Sequence, residues 1–186
     1  MEETKKSFMT VKDMTFTAIM TVLIAVCSWI SLPIGNVPFT LQTFGVFCAV
    51  LLLGGKRGFF AVTVYILLGA VGVPVFAGFT GGIGILTGTT GGYIVGFLLL
   101  AGVYWLAEVM LEDKLILPVQ VTALIFGTLL CYAFGTAWFI KVYSAQGAID
   151  LKTALSWCVI PFIIPDCAKL ALAAVISNRL KKNVRI

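Results

Sequence analysis

Residues 92–111 read GYIVGFLLLAGVYWLAEVML, twenty residues with a single charge, Glu108, near their far end. A helix of that length rises about 30 Å, the thickness of a bilayer's hydrocarbon core. Apolar side chains surround it on every side, so no face is left to give to water. The stretch reads as a transmembrane helix.

Working outward, further apolar runs follow at about 117–142 and 153–177, and precede it at about 14–32, 42–53 and 59–71. The reading is an all-α membrane protein of six transmembrane helices, one integral membrane domain over residues 1–186. The run at 42–53 is short, and the turn Gly54-Gly55-Lys56-Arg57-Gly58 separates it from the next. Composition agrees, with 60% hydrophobic and 11% charged residues, against about 45–50% and about 25% in soluble domains. So little charge cannot cover a surface facing water. The segment Met1–Asp13 mixes acidic and basic residues and lacks the small-residue cleavage site of a secretory leader, so the first run is expected to be a retained span.

Lysine and arginine outside the spans are unevenly placed. Lys5, Lys6, Lys12, Lys56, Arg57, Lys114, Arg179, Lys181, Lys182 and Arg185 fall in the two tails and the second and fourth loops. Only Lys141 and Lys152 flank the fifth, and the first and third have none. Ten against two predicts that both termini face the cytoplasm. The basic residues sit at segment ends and form no stripe with exposed aromatics, so the expected partner is the lipid bilayer and not a nucleic acid.

Both uncharged outer loops are unusual. Residues 33–42, PIGNVPFTLQ, are apolar enough to fold back onto the protein. Between Gly69 and Gly96 lie ten glycines in 28 residues. That density opposes continuous helix, and irregular backbone at membrane depth survives only where protein buries it or it lines a cavity. Pro74 and the pairs 81–82 and 91–92 fit a broken segment with backbone groups turned toward a ligand. Helix-packing notches are the competing explanation, since Gly78–Gly82 and Gly88–Gly92 have the small-xxx-small spacing.

Asp166 and Lys169 interrupt the last apolar run, IPFIIPDCAKLALAAV. A charge at the centre of a span costs roughly 2.5–3.5 kcal/mol on insertion scales. Their spacing of three puts both on one helix face, as a structural ion pair or as the polar end of a cavity. A guest meeting both would be small, with polar ends and an apolar middle. Gln42, Thr43, Thr80, Thr87 and Tyr93 are candidate wall groups, and Trp138 is the tryptophan expected to face inward.

Other chemistry is missing. There is no histidine, and Cys27, Cys48, Cys131, Cys158 and Cys167 form no C-x-x-C pair, so no metal site is expected. No phosphate-binding loop and no nucleophile–histidine pair is present, so no cofactor and no enzymatic activity are expected. Energy for moving a solute would come from another protein. On the first helix, Thr17, Thr21 and Ala25 recur every four residues with Ala18 beside them, a surface that would let a partner helix approach, or one packed within the same chain.

Three stretches together, VPFTLQTFGVFCAVLLLGGKRG (37–58), GVPVFAGFTGGIGILTGTTGGYIVGF (72–97) and PDCAKL (165–170), resemble the BioY family, biotin-specific S-components of energy-coupling factor transporters. The similarity runs over about residues 12–180. It implies a six-helix S-component fold with a biotin pocket near the outer face, capped by the first and third outer loops. It implies partners, a transmembrane coupling protein and two cytoplasmic ATPases that alone use ATP, in the cell membrane of a bacterial-type cell. The S-component would topple in the membrane to carry its pocket inward, contacting the coupling protein through helix one (Thr17, Ala18, Thr21, Ala25). Thr stands at 17 and 21 where an alanine-type motif is usual. Asp166 and Lys169 match the family's motif. Asp166 would accept ureido N–H bonds and Lys169 would supply a cationic donor, to either end of biotin. Tyr93, Gln42, Thr43 and the 79–84 loop, with Phe79, Gly82 and Gly84, would add contacts. The alternative is a stand-alone, proton-coupled transporter of biotin or a similar small carboxylate.

Overall fold

The first helix starts where its sequence provides a reciprocal cap. The Thr10 hydroxyl accepts from the Asp13 N–H at 3.1 Å, and the Thr10 N–H donates to the Asp13 carboxylate at 3.0 Å, which satisfies two otherwise unpaired donors. In this computed structural model, which describes residues 9–32, 37–111, 116–145, 147 and 149–183, α1 runs over Val11–Trp29. Lys5, Lys6, Lys114 and Arg185 of the charge pattern, and residues 33–36 of the first outer loop, lie outside the described residues. The expected span 14–32 ends early because β1 (Ser31–Leu32) turns extended and pairs antiparallel with β2 (Phe39–Thr40), Ser31 opposite Thr40. The described part of the apolar loop, residues 37–42, folds back onto the protein.

Helix α2 (Gln42–Leu53) has eleven of its twelve residues buried. Its uniform apolarity follows from its position among α1, α3 (Gly55–Ala70) and α8 (Ile160–Asn183), all of which pack on it. At 12 and 16 residues, α2 and α3 are about 18 and 24 Å long and fall short of a bilayer core. Gly54, at φ 83, makes the reversal between them, a conformation that glycine adopts at no steric cost. The Arg57 guanidinium lies 3.0 Å from the Asp13 carboxylate and ties α3 to α1.

Four helical stretches are long and apolar enough to cross a membrane: Val11–Trp29, Gly91–Leu111, Leu117–Tyr143 and Leu151–Lys181. Helices α5 (Gly91–Leu111) and α6 (Leu117–Tyr143) pair along most of their length. They approach closely at glycines. A Cβ on Gly92 would lie 2.3 Å from Trp138 Cβ, and one on Gly127 would lie 3.0 Å from Leu100 Cα. Small-residue packing is therefore present at this helix pair, with Gly92 of the 88–92 spacing taking part, whereas a Cβ on Gly78 or Gly82 would meet nothing within 4 Å.

The last segment is two helices, α7 (Leu151–Cys158) and α8, broken at Val159, where one span over 153–177 was expected. Pro161 explains the break. Its ring would clash with the Trp157 carbonyl in a continuous helix, while the second position of a new helix tolerates its missing N–H. Pro165 lies inside α8.

Between α3 and α5 the glycine-rich run forms a folded loop holding the short helix α4 (Ile83–Thr87). Gly72, Gly78, Gly82 and, unusually, Phe79 have positive φ. Val75 and Phe76 turn inward and are buried. The loop's carbonyls are taken up by the bundle: Trp29 donates to Pro74 at 2.9 Å, Tyr65 to Val75 at 3.1 Å, and Trp138 to Gly88 at 3.0 Å. This revises the expectation of backbone groups turned toward a ligand, because side chains take up these three acceptors, of which that of Val75 is buried. Trp138 is accordingly engaged with the loop, its indole N–H bonded to the Gly88 carbonyl.

Candidate binding site

A cavity of about 290 Å³ lies at the end of the bundle where α2 and α5 begin. One wall is apolar: Ile94, Phe97 and Leu100 from α5, with Phe76 from the loop and Phe162 from α8. The first outer loop contributes Val37, Pro38 and Thr40, and the third contributes Ala77, Thr80 and Ile85. Both loops thus close over the same space.

Asp166 and Lys169 form the polar end. Each is about 6% exposed, and both line the cavity. The Lys169 ammonium donates to Asp166 Oδ1 at 2.7 Å and to the Thr40 carbonyl at 2.6 Å, lies 3.4 Å from the Thr43 hydroxyl, and sits 4.4 Å from the centre of the Phe39 ring. Asp166 Oδ1 also accepts from Thr43 at 3.2 Å, and Oδ2 accepts from Tyr132 at 2.6 Å. The pair is neither turned to lipid nor closed upon itself. Mutual neutralisation and added hydrogen bonds are what let two charges persist at such burial.

Gln42 and Thr43 occupy the first turn of α2 at the cavity wall. Gln42 donates to the Tyr65 hydroxyl at 2.9 Å, and Tyr65 donates onward to Val75, so the residue also braces the third loop. Tyr93 lines the cavity too, but its hydroxyl pairs with Thr136 at 2.9 Å and its ring lies over Gly135, where a Cβ would come within 2.2 Å. What Tyr93 offers a guest is chiefly the ring.

Three expected contacts lie elsewhere. Phe79, Gly82 and Gly84 do not line the cavity. Phe79 is 64% exposed and stacks on Trp29, centroids 4.9 Å apart, because its backbone conformation turns it away from the loop's inward face. Thr80 is the member of that stretch which reaches the cavity, while Thr87 bonds to its own helix. The small-residue face of α1 needs a similar correction. Thr17, Thr21 and Ala25 are buried inside the chain, Thr21 bonding to the Ala61 carbonyl at 3.1 Å, and only Ala18 is exposed. Packing against α3 uses the surface expected to face a partner.

Reading the sequence alone missed Tyr132, Thr128, Thr90 and the thiols Cys131 and Cys158, all of which line the cavity. The spacing Thr128, Cys131, Tyr132, Gly135 marks one face of α6. With no way to tell which face of an all-apolar helix is inward, that signal could not be used. No group of His, Cys, Asp or Glu among the described residues could hold a metal.

This arrangement of a broken last helix, a charged pair and two closing loops can be set against known proteins. The BioY family model matches residues 1–186. The chain belongs to the BioY family. It is 44% identical over 164 residues to a protein of Thermotoga maritima named biotin transporter BioY, covering 88% of this chain and 92% of that one. It is 38% identical to a probable biotin transporter BioY of Pyrococcus horikoshii, over 94% and 99% of the two chains. Its fold is similar to a crystal structure titled as the S-component for biotin from an ECF-type ABC transporter, with a TM-score of 0.79, 32% identity, and 94% and 95% coverage. The BioY relationship and the four apolar stretches make this a multi-pass membrane protein with an S-component-like fold.

Proposed function

We propose that this chain is a biotin-binding membrane subunit of a vitamin-uptake transporter in the cell membrane. The observation that carries the reading is the adjacency of Asp166 and Lys169, 2.7 Å apart at the polar end of a cavity with an apolar wall. A carboxylate acceptor beside an ammonium donor suits a guest group presenting N–H and C=O side by side, which is the edge of biotin's ureido ring. One ligand edge then meets both residues, so Lys169 serves the ureido end. The thiophane ring lies along Phe97 and Phe162, and the valerate carboxylate is left to the hydroxyl of Thr90, since that of Thr80 already donates to the Ala77 carbonyl.

The relatives' names and the neighbouring structure's title support biotin and an ECF-type setting. In that setting a transmembrane coupling protein and two cytoplasmic ATPases energise transport, both termini of this chain lie in the cytoplasm, and the chain itself binds without chemistry.

Calorimetry on the purified protein in detergent tests the reading. Biotin should bind at one site, and an analogue lacking the ureido group should lose more affinity than one lacking the carboxylate. Asp166→Asn and Lys169→Ala should each weaken biotin by at least about tenfold, a difference of ~1.4 kcal/mol. Unchanged affinity in both variants would remove the assignment. Reconstitution with and without the ATPase partners tests the energising arrangement, since gradient-driven uptake by this chain alone would contradict it.

A further inference from the structure

The groups around Asp166 come from two sides of the bundle. Thr43 and Lys169 belong to α2 and α8, which pack directly on one another. Tyr132 belongs to α6, which pairs with α5 and touches α8 only slightly. The Tyr132 hydroxyl nevertheless reaches Asp166 Oδ2 at 2.6 Å across that seam. On the α6 face lining the cavity, the Thr128 hydroxyl is already spent on its own helix at Leu124. Tyr132 is therefore the α6 hydroxyl committed to the charged pair.

The geometry points to Tyr132 as a positioning residue for Asp166, fixing the plane of its carboxylate so that one lone pair remains directed at the guest. A carboxylate offers about four acceptor positions. Lys169 and Thr43 take two on Oδ1 and Tyr132 takes one on Oδ2. Without Tyr132, Lys169 and Thr43 still hold Oδ1 but Oδ2 is free to swing away from α6, and a guest N–H meets an acceptor whose direction is no longer set. Because it spans the seam, the same bond also holds the α6 wall at the distance that shapes the cavity. This rests on the proposed binding of a ureido N–H by Asp166 and adds a residue that acts through it without touching the ligand's polar edge.

A double-mutant cycle reads the effect by calorimetry with biotin. Tyr132→Phe, which removes one oxygen, should weaken binding about tenfold, and the loss should vanish when the change is made in the Asp166→Asn protein. Tyr132→Gln keeps an N–H donor on a different frame. It should retain more affinity than Tyr132→Phe, which a purely space-filling role for the ring would not allow, and it supplies the comparison with wild type should the Phe variant not fold. Full-strength biotin binding by Tyr132→Phe, or an equal loss with and without Asp166, would overturn the inference while leaving the site reading in place. Wild-type affinity in Asp166→Asn would remove both.

Discussion

Lys169, on α8, donates to the backbone carbonyl of Thr40 at 2.6 Å, so the last helix is tied to the ribbon that closes one side of the cavity. A two-stranded ribbon of four residues is marginal by itself. The ammonium and its position over Phe39 give it an anchor, and Phe39 in turn stacks on Phe162. On the proposed reading, ligand binding and closure of this loop share a residue. Lys169→Met should increase amide hydrogen exchange at residues 37–41. It should also destabilise the protein by about 3–5 kcal/mol, because Asp166 is left buried without its counter-charge. Adding Asp166→Asn should recover much of that stability while binding stays lost. A double variant no more stable than Lys169→Met would contradict the account of the pair.

Glycine substitutions separate the cavity wall from the exposed part of the third loop. A Cβ at Gly135 would drive into the Tyr93 ring at 2.2 Å, and Tyr93 lines the cavity. Gly135→Ala should cost about 1–3 kcal/mol of stability through overpacking and weaken biotin binding as the ring shifts. At Gly84 a Cβ meets nothing within 4 Å, and its φ is ordinary. Gly84→Ala should leave melting temperature and affinity near wild type. A clear loss of binding there would return the 82–84 stretch to the site.

Much of this was legible in the sequence because hydrocarbon sets so few options. Long apolar runs located α1, α5 and α6, and charge inside an apolar run located Asp166 and Lys169. The failures share a cause. An all-apolar helix carries no periodicity that says which side faces protein, so Tyr132 on α6 is invisible and the Thr17 and Thr21 face of α1 fits a partner helix as well as one of this chain. The break at Val159 is written in Pro161, yet the apolar run continues through it and reads as one span. The glycine run was understood as broken, but sequence could not reveal that Trp29, Tyr65 and Trp138 consume its carbonyls, since those partners lie 45, 10 and 50 residues away.

The burial of Thr21 carries its own test. Its hydroxyl lies 3.0 Å from the Thr17 carbonyl and 3.1 Å from that of Ala61 on α3. Thr21→Val keeps the shape and removes the donor, and should lower stability of the isolated protein by ~1 kcal/mol. Ala18 is exposed on the same helix, so Ala18→Trp should leave the melting temperature unchanged. If the first variant is silent in the isolated protein and only impairs transport, α1 presents Thr21 outward after all.

Glu108 offers the clearest separation of stability from binding. Its carboxylate accepts the Gly55 N–H at 2.7 Å, at the start of α3. The first N–H groups of a helix have no partner within it, and at Gly55 no local side chain caps them. Close contact makes a remote cap feasible, since a Cβ on Gly55 would lie 2.3 Å from Trp105 Cα on α5. Glu108→Ala leaves this donor without its acceptor and should cost ~1–2 kcal/mol. Glu108→Gln keeps an acceptor oxygen without the negative charge and should cost less. Along α5, Glu108 stands about 22 Å from Tyr93 at 1.5 Å per residue, so biotin affinity should hold within about twofold in both variants. A tenfold loss of affinity at unchanged melting temperature would mean that the two ends of the bundle are coupled through α5.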